Sequence, residues 1–148
     1  MHIRTAMPAD IEEWARLRAA LWPSGTVDEH REEAASAAAS EDDGKVSLIA
    51  VDGAGRVCGF AEATLRHDYV NGCETSPVAF LEGIYIVPEH QRGGLGRELC
   101  SAVESWGRTR GCKEMASDAL FDNRESHAFH IAVGFEETER VVYFRKIL

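Results

Sequence analysis

Apolar residues along this chain recur in two rhythms, every second position and every three to four, and the switches between them divide it into elements. His2-Ile3-Arg4-Thr5-Ala6 alternates as a short strand does. Ile11, Trp14, Leu17 and Leu21 recur at helical spacing behind Pro8, which can open a helix, so 8–21 reads as an amphipathic helix with Trp14 in the core. Trp22-Pro23-Ser24-Gly25 ends it and leaves Trp22 on a loop, equally suited to plugging the core or walling a pocket. A second helix spans 28–40 with Asp28 as N-cap; its apolar face holds only alanines, which predicts thin packing and mobility. Residues 46–51 form a strand, Asp52-Gly53-Ala54-Gly55 a hairpin turn, and 56–66 the returning strand, with Glu62, Thr64 and Arg66 on one polar face. A loop covers 67–77, and a β-branched and aromatic run covers 80–87 until Pro88 stops it. Leu95, Leu99, Ala102, Val103 and Trp106 then mark a helix from about 94 to 110. A short strand at 113–118 follows, then a helix capped by Asn123 and stopped at Gly134, and one or two last strands in 135–148.

The order β-α-α-β-β-β-α-β-α-β is that of an α/β fold, one domain over 1–148, with a mixed central sheet flanked by helices. The strand-helix-strand unit from 80 to 118 is a parallel crossover, so its two strands are neighbours or near neighbours. Between its first strand and its helix stands Gln91-Arg92-Gly93-Gly94-Leu95-Gly96. Such a turn presents backbone N–H groups that have no intrahelical acceptor, at the end of the helix that favours negative charge. A pyrophosphate suits it. Arg97-Glu98 after the last glycine does not fit a P-loop, and G-G-x-G is not the dinucleotide spacing. The pattern Q/R-x-x-G-x-G/A after a strand, known in the GCN5-related N-acetyltransferases, matches at every position.

Composition narrows the classes. The 148 residues are 45% hydrophobic and 28% charged, with a net charge of −9. No basic patch marks a nucleic-acid binder. No apolar run approaches the ~20 residues that span a bilayer, and acidic and basic residues interrupt the N-terminus where a signal peptide would be apolar, so a cytoplasmic protein is expected. Cys58, Cys73, Cys100 and Cys112 form no C-x-x-C pair and no zinc spacing, so no metal is expected.

The element order resembles the GCN5-related N-acetyltransferase fold along the full chain. A second family signature, N-x-x-A-x-x-L-Y-x-x-x-G-F, is echoed by Asn123 and Gly134-Phe135, but His130 stands where the tyrosine is usual. That tyrosine is often assigned as the acid for the leaving thiolate. Leu21-Trp22-Pro23, Arg66 to Cys73, Phe80 to Ile84, Glu114 to Asp118 and Gly134 to Val141 further resemble the aminoglycoside 6'-N-acetyltransferases. That resemblance implies acetyl-CoA as co-substrate, held by Ile84, Tyr85, Ile86, Arg92, Gly93, Gly94, Leu95, Gly96, Arg97 and Asn123. It implies an aminoglycoside held by Trp22, Tyr69, Glu82, Asp118 and Glu139, and a homodimer.

The chemistry is consistent with those assignments. An aminoglycoside is a polyamine, and carboxylates pair with ammonium groups by charge-assisted hydrogen bonds. An amine must lose a proton before it attacks a thioester, so a base is needed; Asp118 and Glu82 are the candidates, with the choice left open. Gly83, alone within a strand, suggests a bulge that frees backbone groups for pantetheine and for an oxyanion. Two alternatives stand beside this reading: an acetyltransferase for another amine, such as a polyamine or a protein N-terminus, and a non-catalytic acetyl-CoA-binding module.

Overall fold

The computed structural model describes residues 1–148. Its elements in chain order are β1 (His2–Thr5), α1 (Ile11–Leu21), α2 (Val27–Ala39), β2 (Lys45–Val51), β3 (Val57–Arg66), β4 (Val78–Ile86), α3 (Leu95–Thr109), β5 (Met115–Ser117) and α4 (Arg124–Ala132). Single 3-10 turns at Pro8–Asp10 and Pro88–His90 precede α1 and the glycine turn. The strands form one sheet in the order β1-β2-β3-β4-β5. Every pair is antiparallel except β4 with β5, which α3 joins as the expected parallel crossover.

Helices cover both faces, so β2, β3 and β4 bury apolar residues on both sides, with polar residues at Ser47, Glu62, Thr64, Arg66 and Glu82 inside them. On one face Leu48, Ala50, Ala61, Ala63 and Leu81 pack against Leu95, Leu99, Cys100 and Val103 of α3, with Phe129 of α4 at the margin. On the other, Ile49, Val51 and Phe60 pack against Trp14 of α1 and Ala34 of α2. Arg18, only 8% exposed, ties this face together. Its guanidinium pairs with Glu33 on α2 and Glu62 on β3, and Glu62 also accepts a 3.0 Å bond from Trp14 Nε1.

The bulge expected at Gly83 exists, but the extra residue is Glu82. Glu62 stands opposite Gly83 and Ala63 opposite Leu81, so Glu82 has no partner in β3. One extra residue reverses which side each later residue faces. Leu81, Ile84 and Ile86 therefore all meet the α3 core, while Tyr85 joins the α1 side. Gly83 lies under the Trp22 ring.

Four expectations change. Thr26, not Asp28, caps α2, its side chain accepting from Glu29 N at 3.1 Å; Asp28 falls in the first turn, where its charge still suits the helix dipole. Buried His30 joins the alanines on that helix. The strand at 113–118 shortens to Met115–Ser117, and 135–148 form no strand at all. A strand needs a partner for its main-chain groups, and this segment has none within its own chain. It leaves Val142, Tyr143, Phe144 and Ile147 between 77% and 93% exposed.

Candidate active site

The site grows from the place where β4 and β5 part. β5 pairs only with Ala79, Phe80 and Leu81, so β4 from Gly83 to Ile86 is hydrogen-bonded on its β3 side and open on the other. This open edge contains Ile84, Tyr85 and Ile86. Gln91 closes part of it, donating from Nε2 to Ile86 O at 2.9 Å.

Beyond the edge lies the glycine turn. Arg92 (φ 63°) and Gly94 (φ 90°) are both left-handed, a conformation natural to glycine and costly for arginine. The first main-chain bond of α3 runs from Glu98 N to Gly94 O at 3.0 Å, so the N–H groups of Leu95, Gly96 and Arg97 precede the ladder. A β-carbon on Gly94 would meet nothing within 4 Å, and on Gly93 only His90 O at 3.7 Å. The space above both is open, as an entering anion requires. Gly96 serves packing instead, because a β-carbon there would lie 2.7 Å from Phe129; this glycine lets α4 pack on α3. Arg92 is exposed and unpaired. Arg97 donates from Nη2 to Ala132 O at the end of α4 (2.5 Å), so its guanidinium already has one partner on α4. Asn123 caps α4 through Oδ1, 3.1 Å from Ser126 N, which leaves its two N–H groups to donate elsewhere.

On the other side of the bulge is an acidic and aromatic rim. Glu82 is one-third exposed. It accepts from Thr64 Oγ1 at 2.7 Å and from Arg66 Nη2 at 3.0 and 3.1 Å. Of the two roles left open for Trp22, the structure shows the packing one: the ring meets Phe60 edge-on at 6.0 Å and covers Gly83 beside Glu82. Arg18 stacks 4.9 Å from the ring centroid, and His30 Nε2 lies 2.9 Å from Trp22 O. Tyr69 is 75% exposed on the 67–77 loop. Glu114 anchors that loop, accepting from Glu74 N (2.9 Å), Thr75 N (2.7 Å) and the Thr75 hydroxyl. These bonds, the Thr75 hydroxyl first, hold its carboxyl below the usual carboxylate range. Thr138 sits against Gly72 of the same loop, which brings the segment of Glu139 alongside that of Tyr69. Asp118, just past β5, and Glu139 are exposed and make no ion pair or side-chain hydrogen bond. The structure thus sets Trp22 over Gly83, next to Glu82, and the Tyr69 loop against the Glu139 segment; Asp118 is hydrogen-bonded to neither.

The closest grouping of metal-type ligands lies elsewhere, at Asp52, Cys58 and His90, within 4.8 Å of one another. Asp52 is already bound by the Arg56 and Ala54 amides and by the Arg56 guanidinium, and burial pushes the Cys58 thiol up, keeping it protonated.

A family model described as acetyltransferase (GNAT) family matches residues 10–135. The chain belongs to this acetyltransferase family. Among its relatives, an aminoglycoside N(6')-acetyltransferase type 1 from Stenotrophomonas maltophilia is 51% identical over 97% of this chain and 91% of its own. Another of that name, from Salmonella enteritidis, is 44% identical over 99% of both chains. The crystal structure of an apo aminoglycoside 6'-N-acetyltransferase, AAC(6')-Ig from Acinetobacter haemolyticus, superposes with a TM-score of 0.93 at 42% identity, covering 100% of this chain and 99% of that one. That of AAC(6')-Iy with the bisubstrate analogue CoA-S-monomethyl-acetylneamine gives 0.90 at 43% identity, covering 99% and 98%.

In this acetyltransferase, sequence reasoning missed four polar residues that shape the site. Thr64 and Arg66 were visible as the polar face of β3, but their partner, Glu82, depends on the bulge. Gln91 opens the glycine motif, yet nothing in the motif shows it bonding Ile86. Ser117 carried no signal. Its hydroxyl lies 2.8 Å from His130 Nε2 and 3.2 Å from Leu81 O, at the point where β5 leaves β4.

Proposed function

We propose that this acetyltransferase moves the acetyl group of acetyl-CoA onto the 6'-amine of aminoglycoside antibiotics and so confers resistance on a bacterial host. The observation that carries the reading is the meeting of two unlike surfaces at one bulge. On one side are the open edge of β4 and an uncapped helix N-terminus below free space. On the other are a tryptophan and a fixed carboxylate, with two unpaired acids and a tyrosine in the neighbouring segments. The first suits pantetheine and pyrophosphate; the second suits a large, multiply protonated amine. Relatives of that name, 42–51% identical, support the same reading.

The residues divide the work. The N–H groups of Leu95, Gly96 and Arg97, the open backbone at Gly93 and Gly94, and the Arg92 charge hold the pyrophosphate. Pantetheine lies along Ile84, Tyr85 and Ile86 like an added strand, displacing the Gln91 amide from Ile86 O. The Asn123 amide donates to the coenzyme from the start of α4. Trp22, Tyr69, Glu82, Asp118 and Glu139 bind the drug. Glu82, already committed to Thr64 and Arg66, serves as a fixed negative charge. Asp118, unpaired and exposed, is the freer acceptor for the proton that the ammonium must lose, directly or through water. Main-chain N–H groups at the β4 edge face the developing oxyanion, so the transfer uses no metal.

The protein works as a homodimer in the cytoplasm, where acetyl-CoA is made. The exposed run Val141-Val142-Tyr143-Phe144, on a segment with no partner of its own, supports association of two copies, because soluble monomers rarely display such an arm. Sedimentation should give twice the 16.3 kDa chain mass, and removing 141–148 should give the monomer. A full-length monomer at every concentration refutes the dimer. The activity is tested by thiol release from acetyl-CoA with paired kanamycin-type drugs that carry an amine or a hydroxyl at the 6' position. Turnover of the amine form alone is expected. Turnover of polyamines or peptide N-termini instead, or coenzyme A binding without turnover, replaces this reading with one of its rivals.

A further inference from the structure

The transfer proposed above expels a thiolate, and the position where the family usually carries a tyrosine to protonate it holds His130. Resting on that reading, we propose that the Ser117 hydroxyl, supplied with its proton by His130, hydrogen-bonds the coenzyme sulfur and protonates it as it leaves. Ser117 is the catalytic group and His130 the residue that positions and recharges it.

Ser117 is the last paired residue of β5, opposite Leu81. Immediately beyond, the open edge of β4 begins. A pantetheine on that edge, with its phosphates at the glycine turn past Ile86, points its sulfur end toward the junction where Ser117 stands. At ~3.3 Å per residue the edge from Gly83 to Ile86 is long enough for such an extended chain to follow it for about 10 Å.

His130 Nδ1 lies 2.7 Å from Ser126 O, and a carbonyl can only accept, so Nδ1 carries a hydrogen. Nε2 lies 2.8 Å from Ser117 Oγ, and Oγ lies 3.2 Å from Leu81 O, another pure acceptor. With the imidazole neutral, Nε2 takes the serine hydrogen and Leu81 O receives none from it. With the imidazole protonated, Nε2–H donates to Oγ, and the serine O–H is released toward the β4 edge. Every group in the chain is then satisfied. The 3.2 Å bond is long for a hydroxyl donor, so the O–H exchanges Leu81 O for an anionic sulfur at little cost.

The step balances. The amine nitrogen bonds to the acetyl carbon, the carbon–sulfur bond breaks, and its electron pair goes to sulfur. Sulfur takes the Ser117 proton, Ser117 takes the Nε2 proton, and His130 remains neutral with its hydrogen on Nδ1 until water recharges Nε2. The ammonium substrate gives up two protons and sulfur recovers one, so one proton is released per turnover. The ring is packed by Phe129 (5.8 Å, edge-on) and Phe135 (5.1 Å), with Ser117 and Ser126 on its nitrogens. The ionisable residues nearest in the chain are Asp118, next to Ser117, and Arg124, Glu125 and His127 on α4, whose His127 Nε2 is engaged with Leu120 O at 2.8 Å; from α3, Arg97 reaches the same helix at Ala132 O.

The deciding experiment needs no acceptor amine. The thiolate absorbance of bound coenzyme A is titrated against pH, with enzyme alone as blank, in wild type, Ser117→Ala, Ser117→Thr and His130→Gln. A donor aimed at sulfur stabilises the thiolate, so the wild-type and Ser117→Thr complexes should ionise at lower pH than the other two. With the amine that the wild type acetylates, Ser117→Ala and His130→Gln should lower kcat by about 10²-fold, the scale of general-acid catalysis, with KM for acetyl-CoA unchanged and kcat recovered in Ser117→Thr. Identical thiol titrations across all four proteins overturn the proposal, as does a Ser117→Thr variant as impaired as Ser117→Ala. If the wild type acetylates no aminoglycoside, the substrate reading fails, and the thiol titration still decides this one.

Discussion

Replacing Gly83 with alanine tests the packing that joins the two halves of the site. A β-carbon there would lie 2.3 Å from Trp22 Cζ2, 2.6 Å from Cη2 and 3.0 Å from Leu21 Cδ2. Those distances are far inside van der Waals contact, and the indole is itself held by Phe60, Arg18 and His30, so it cannot swing aside freely. Overpacking of this kind costs about 1–3 kcal/mol. Loss of glycine's freedom in the unfolded chain returns ~0.4–1 kcal/mol, because Gly83 is not in the left-handed region. The net destabilisation is then about 0–2.6 kcal/mol, or a fall in Tm of up to roughly 10 °C for a chain of this size. The control is Trp22→Ala. In that background the clash is gone and only the unfolded-state gain remains, so Gly83→Ala should become neutral or stabilising. The two substitutions should therefore couple by about 1–3 kcal/mol in a denaturant double-mutant cycle. Displacing Trp22 should also raise KM for the drug while coenzyme A affinity holds. Additive effects within ~0.3 kcal/mol would refute the contact.

Gly94→Ala and Gly96→Ala should fail differently. The first strains a left-handed turn by about 1–2 kcal/mol and weakens coenzyme A in calorimetry, while the second pushes Phe129 off α3 and shows mainly in thermal stability. Asp118→Asn should lower drug turnover by about one to two orders of magnitude, the scale of losing ~1.5–3 kcal/mol from a charged hydrogen bond, with coenzyme A binding nearly intact; wild-type turnover removes Asp118 from the site. Burial pushes the Cys100 thiol from 9.0 up to about 11. The unfolded chain therefore gives up this proton first as pH rises, so stability should decline between those values in wild type and decline less in Cys100→Ala, read as denaturant midpoints against pH.

The parts of this fold that could be read from the sequence are those fixed by nearby residues. Pro88, the glycines and the helical rhythm after them lie within one stretch, so strand, turn and helix appear together. The hairpin at Asp52 to Gly55 is equally local. What could not be read depends on distant partners. Gly83 announced an irregularity, but only the register against β3 shows that Glu82 is the extra residue and that its carboxylate meets Thr64 and Arg66. Gly96 looks like its glycine neighbours in the motif, yet its reason is Phe129, far along the chain on α4. Arg97 reads as a phosphate ligand, and nothing near it in sequence shows that it also donates to the Ala132 carbonyl on α4. The segment 135–148 has a strand's composition and no strand's hydrogen bonds, since composition cannot say where the partner edge is.

Within the site the same division holds. The acids and aromatics of the rim were visible by residue type and by resemblance, and the structure shows which are held and which are free: Glu82 and Trp22 are fixed, whereas Asp118 and Glu139 are not. The link between Ser117 and His130 joins a short strand to a helix, and no spacing in the sequence marks it.

Acetyl transfer beside the β4 bulge is expected to reach one particular amine. It is tested most directly by incubating the protein with acetyl-CoA and a kanamycin-type drug, then locating the added group by mass spectrometry and NMR. A single acetyl group on the 6'-nitrogen is the predicted product; an acetyl group on any other nitrogen, or an unmodified drug, contradicts the account.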